Sequence, residues 1–194
     1  DPLYFKTIKE GFSEQVKEML KHDKLNVIHN SIQNHLRTHS NQYDLIYLSE
    51  HKPSLMENAL LYFPQNIRIM KSGLTDNGTL SLLFSAEAAY SGQISRSLKG
   101  SVFNSLNDNF PATSIFALDN YTVLLGSRDS LYNSFETMNR KLHQKGIQSM
   151  YFSSVNVGNR MQNKKTIGID EIEGYQGELS FNKPVTYLTG LLKM

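Results

Sequence analysis

Hydrophobic positions along the chain switch between two periods, and the switches mark the elements. Phe5, Ile8, Phe12, Val16 and Met19/Leu20 recur at helical spacing, with Gly11 as a break in the run. Asp1-Pro2 fits the start of that helix, Asp as N-cap and Pro in the first turn. Residues 25–29 (LNVIH) form a short β-rich run, and residues 32–37 predict a turn or two of helix. Leu45-Ile46-Tyr47-Leu48 then reads as a buried strand over 43–48, broken by the polar run Ser49-Glu50-His51-Lys52-Pro53.

A helical stretch follows from Ser54, is interrupted at Pro64 and resumes over 67–74. Asp76-Asn77-Gly78 is a turn signal ahead of an apolar strand at 79–84. The longest helix signal covers about 90–110, where Ile94, Leu98, Val102, Leu106 and Phe110 keep i, i+4 spacing and define one buried face. Two strands, 113–118 and 121–126, flank Asp119-Asn120 and predict a hairpin whose last strand is antiparallel to the rest. Leu131, Phe135, Met138 and Leu142 predict a further amphipathic helix, with Gly146 just past its end. Residues 168–177 read as a polar, acidic loop, and 185–192 as an apolar return to the body. Strands alternating with helices and closing on a hairpin predict an α/β sheet, mostly parallel, with one antiparallel strand.

Composition adds boundaries to this picture. The 194 residues are 39% hydrophobic and 20% charged, enough for one core, so the expectation is a single domain over 1–194 with a core at 1–146 and an extension at 147–194. The net charge of +2 comes from dispersed residues, and the pair Lys164-Lys165 is too small a basic patch to indicate nucleic acid. There is no cysteine, which excludes disulfides and thiolate metal sites and fits a cytoplasmic domain. No segment approaches the roughly 18 apolar residues of a membrane span. Asp1-Pro2-Leu3-Tyr4 is no signal peptide and carries no initiator Met, so the expectation is a piece of a longer protein.

Few residues carry candidate chemistry. His35 and His39 share a helical face and His29 is near in sequence, but a metal would need a further ligand from His51 or Glu50, and a solvated helix end explains the pair better. No metal site is expected. Ser49, Glu50 and His51 are adjacent, which is not how a triad converges, and no G-x-S-x-G context surrounds them. In an open α/β sheet, ligands sit outside the carboxyl ends of the strands, so residues 49–52 would face any site.

The order of elements, with particular residues, resembles the spermidine synthase (polyamine aminopropyltransferase) family, especially bacterial spermidine-synthase-like domains often fused to membrane-spanning segments. Asp1-Pro2-Leu3 resembles the family's D-P-x-(V/L). Tyr43-Asp44-Leu45-Ile46 resembles its YDVI, and Leu74-Thr75-Asp76-Asn77-Gly78 its L-x-P-G-G turn. Leu98, Ser101, Phe103, Leu106, Phe110 and Pro111 fit its GS-(I/L)-Y-x-x-L-x-x-x-FP helix. Asn120 to Ser127 (NYTVLLGS) fits its closing strand, and Lys183-Pro184-Val185-Thr186-Tyr187-Leu188 its RPVAYL ending. The resemblance implies a Rossmann-like sheet of the S-adenosylmethionine-dependent methyltransferase type, truncated at its N-terminus and ending in a β-hairpin.

The departures from the family's pattern bear on activity. The family's adenine-binding acid falls on Ser31, and the aspartate that helps deprotonate the attacking amine falls on Ser49. Proline is kept at Pro53, whereas Glu50 is the candidate substitute base beside the catalytic position, although on a strand its side chain would point to the opposite face. Aminopropyl transfer needs a carboxylate to orient the ammonium and accept its proton, a part that serine cannot play alone. The Gly-rich turn and ribose-binding acid of the family would precede Asp1, which leaves Asp1 and Ser31 as the cofactor-binding candidates. Whether the chain is an enzyme stays open on sequence. The first expectation is a degenerate domain with no cofactor of its own and a scaffolding or partner-binding role, as a homodimer or within a membrane-linked parent. The alternative is an aminopropyl- or methyltransferase using S-adenosylmethionine or decarboxylated S-adenosylmethionine in the full-length protein. With the first family strands absent, the strand at 43–48 has an open edge, to be covered either by 25–29 or by a second copy of the chain.

Overall fold

A computed structural model describes residues 11–49, 60–85, 93–118, 121–132, 134–149 and 172. The proposed helix start at Asp1-Pro2, the loop from Glu50 to Pro53, and the stretches 168–171 and 173–194 lie outside the described residues. The chain divides into two compact units, Asp1–His35 and Leu36–Met194.

In the first unit, Ser13 caps helix α1 (Glu14–Met19), its Oγ accepting from the Val16 N–H at 3.4 Å. The helical run is interrupted between Gly11 and Glu14, as the glycine suggested. Residues 25–29 form no strand, contrary to the sequence reading. Leu25, Val27 and Ile28 are exposed. β-propensity expresses fit to a pleated, half-buried surface, and such a surface is what this run lacks. Helix α2 (Ile32–Thr38) begins at the end of this unit.

The second unit is built on a four-stranded sheet. Its strands are β1 (Tyr43–Leu48), β2 (Leu74–Ser85), β3 (Ala112–Leu118) and β4 (Tyr121–Ser127), in the order β1-β2-β4-β3. β1 and β2 are parallel, and β4 is antiparallel to both β2 and β3. The hairpin therefore folds back so that its second strand wedges between β2 and β3. Helices α3 (Pro64–Gly73) and α4 (Gln93–Asn109) pack on one face of this sheet and on each other. Helix α5 (Phe135–Gln144) follows β4, capped by Ser134.

The packed face is apolar because alternate strand residues point to it. Ile46, Leu80, Leu82, Phe84, Leu124 and Ile115 are buried there. From α4, Leu98, Val102, Leu106 and the following Phe110 are buried, as their i, i+4 spacing required. Full burial of such side chains contributes about 1.5–3 kcal/mol each. Pro64 occupies the first turn of α3, where its missing N–H costs nothing, so the residue read as an interruption is in fact a start. The C-terminal carbonyls of Ser72 and Gly73 accept the N–H groups of Asn41 and Gln42 at 2.9 Å, which ties the approach to β1 onto the end of α3.

Two strands differ from their sequence reading. β1 was expected to be buried, yet only Ile46 is, while Leu45 and Tyr47 are 59% and 54% exposed. Among the described residues β1 pairs with β2 alone, and its second face carries no helix. β2 begins at Leu74, ahead of the expected turn. Tyr43 pairs with Leu74 and Leu45 with Thr79, so residues 75–78 bulge out of the ladder. Asp76-Asn77-Gly78, read as a turn ahead of the strand, lies inside the strand instead, as an excursion from its pairing. Arg128 closes that excursion. Its N–H donates to the Gly78 carbonyl at 3.1 Å, its Nη1 to the Leu74 carbonyl at 2.8 Å, and its Nη2 lies 3.1 Å from Asp76 Oδ1.

Candidate functional site

Parallel pairing of β1 with β2 brings their carboxyl ends to one edge of the sheet. Leu48 pairs with Leu82, β2 runs on to Ser85, and Ser85 pairs with Tyr121 at the start of β4. This edge is where an open α/β sheet takes its ligand. Ser49 stands there, one residue past β1 and exposed. The loops that would complete the edge, 50–59 and 86–92, lie outside the described residues, and Glu50 with them.

Ser31 has a different occupation. Its Oγ accepts from the Asn34 N–H at 3.2 Å, and its carbonyl accepts from the His35 N–H at 3.0 Å. Its own N–H donates to Asn30 Oδ1 at 2.9 Å. The hydroxyl thus serves as the N-cap of α2, a role for which serine is among the preferred residues. Ser31 belongs to the first unit and Ser49 to the second. Asp1 lies outside the described residues.

His29 is exposed, His35 and His39 are half-buried, and His39 Nδ1 lies 2.9 Å from Thr38 Oγ1. Among the described residues no group of three His, Cys, Asp or Glu is placed to hold a metal ion.

Sequence reasoning missed one polar feature near this edge. Lys99 on α4 is only 6% exposed, and its Nζ donates to Thr122 Oγ1 at 3.4 Å. Thr122 is fully buried and pairs with Phe84, one residue before the end of β2. Tyr62 packs on Phe84 with ring centroids 4.9 Å apart. No sequence signal separates Lys99 from an ordinary surface lysine, because it sits beside Leu98 at the margin of the apolar stripe.

The sheet order, the lone antiparallel strand and the helices define a Rossmann-like α/β fold of the methyltransferase type. The fold is similar to that in a crystal structure of spermidine synthase in complex with the transition-state analogue AdoDATO, with a TM-score of 0.51 at 12% sequence identity. The match covers 62% of this chain and 42% of that chain, so the likeness is one of fold and spans less than half of that protein. No protein-family model matches the sequence, and no curated protein is similar to it. Among the described residues no helix is long and apolar enough to cross a membrane.

Proposed function

We propose that this chain is a spermidine-synthase-like domain that has kept the sheet of a transferase without its chemistry, and that it acts as a scaffold or partner-binding module in the cytoplasm. The observation that carries this reading is the use of Ser31. The position that would hold adenine through a carboxylate bears a hydroxyl already engaged as a helix cap. Ser49 adds to it: at the carboxyl end of β1 a neutral hydroxyl replaces the base that an attacking amine requires. On this reading the domain holds neither S-adenosylmethionine nor decarboxylated S-adenosylmethionine and has no polyamine substrate. A second copy of the chain covers the outer edge of β1.

The second reading is a transferase that becomes complete in a longer protein. It draws on the exposed carboxyl-end edge at Ser49 and on the transition-state analogue bound by the structural neighbour. Glu50 would then serve as the base. An assay of the full-length protein with decarboxylated S-adenosylmethionine and putrescine separates the two. The degenerate domain releases no methylthioadenosine above background, whereas turnover that is lost in Glu50→Gln establishes the transferase.

A further inference from the structure

The excursion in β2 holds the only Asn-Gly pair of the chain, Asn77-Gly78. Asparagine is thermolabile because a backbone nitrogen can attack its side-chain amide. Glycine as the next residue favours the attack, since no Cβ crowds the approaching nitrogen. Ladder hydrogen bonds oppose it by fixing the backbone. Here the ladder is interrupted: β1 pairs with Leu74 and then with Thr79, and β4 pairs with β2 only from Thr79 onward. Asn77 therefore has no paired residue opposite it in either ladder and is exposed to water, and Gly78 is held through its carbonyl, which accepts from the Arg128 N–H and leaves its nitrogen outside the pairs of both ladders.

We propose that Asn77 is a site of spontaneous covalent modification that converts it to aspartate and isoaspartate. The Gly78 nitrogen bonds to Asn77 Cγ and gives up its proton, the Cγ–Nδ2 bond breaks, and ammonia leaves with that proton. Water then opens the cyclic imide. Opening at Cγ gives aspartate, and opening at the main-chain carbonyl gives isoaspartate. Water is the only co-reactant, and no electron changes hands.

The two products affect the fold differently. Aspartate adds one exposed charge beside Asp76, a carboxylate that is itself 83% exposed, and solvent screens the pair. Isoaspartate routes the main chain through Cβ and so lengthens an excursion whose far end is fixed. Gly78 is buried, with Leu74 Cβ and the Tyr43 carbonyl each 2.8 Å from where its own Cβ would stand, and its carbonyl accepts from Arg128. A longer path there moves Gly78 and loosens the Arg128 clasp on Leu74 and Asp76.

The test is incubation of the full chain at mildly alkaline and at acidic pH, followed by peptide mapping and enzymatic labelling of isoaspartate. The proposal expects a mass gain of NH replaced by O at Asn77, faster at the alkaline pH and absent in Asn77→Gln. It also expects the isoaspartate fraction to melt below the native chain, with Asn77→Asp melting close to it. The modification is overturned if Asn77 stays intact in the folded chain under conditions where the urea-unfolded chain converts. The structural consequence is overturned if the isoaspartate fraction melts with the native chain.

Discussion

The Phe110 ring lies against the backbone of Gly126. A Cβ built on Gly126 would fall 2.6 Å from Phe110 Cδ2 and 3.1 Å from Leu106 Cδ2. The close approach lets the chain leaving α4 lie flat on β4, and it needs a residue with no side chain there. Gly126→Ala is therefore expected to destabilise the fold by about 1–3 kcal/mol through overpacking. Urea unfolding measures this, and Phe110→Leu in the Gly126→Ala background should recover part of the loss. Equal loss with and without the Phe110 ring would show that the contact is not the cause.

A second prediction runs the other way. Ser101 is 1% exposed, and its Oγ has no hydrogen-bond partner among the described residues. A buried hydroxyl left unpaired costs about 1–3 kcal/mol in desolvation, and alanine is also the better helix former. Ser101→Ala should leave the melting temperature unchanged or raise it. A clear drop would mean that the hydroxyl has found a partner.

The Arg128 clasp on the β2 excursion separates a partly buried bond from an exposed one. Arg128→Ala removes the Nη1 donor to the part-buried Leu74 carbonyl and should cost about 1–3 kcal/mol, because that hydrogen bond is lost. Asp76→Ala removes only an ion pair whose acid is 83% exposed, and should cost less than about 1 kcal/mol. The two variants compared by urea unfolding test the ordering. Equal costs would place the energy in the ion pair.

The sheet was legible because its signals are redundant. Leu98, Val102 and Leu106 fix a face by spacing alone, and the hairpin announces itself through two apolar runs around Asp119-Asn120. The run at 25–29 has the same composition as a strand, but it pairs with no strand among the described residues and its apolar side chains stay exposed. Burial of β1 failed for a related reason. Leu45 and Tyr47 are as apolar as Ile46, and only the side on which α3 and α4 pack decides among them. At the candidate site, Ser31 was read through its place in a family pattern, although serine just before a helical run is equally a cap signal. Lys99 was not legible at all, since its burial depends on Thr122, which is distant in sequence.

The outer edge of β1 gives a prediction about assembly. Tyr43–Leu48 carries no Lys or Pro to discourage pairing, and Leu45 and Tyr47 are exposed on the strand's face opposite Ile46. Light scattering of the full chain should give the mass of a dimer, and Leu45→Lys with Tyr47→Lys should return it to a monomer. A monomer at all concentrations before substitution would remove the second copy from the account.

The central claim is that the domain keeps the fold without binding the nucleoside part of a transferase substrate. Isothermal titration of the full-length protein with methylthioadenosine tests it most directly. No saturable heat is expected, because Ser31 caps a helix and Ser49 offers no carboxylate. Saturable binding that is weakened by Ser31→Ala or Ser49→Ala would contradict it.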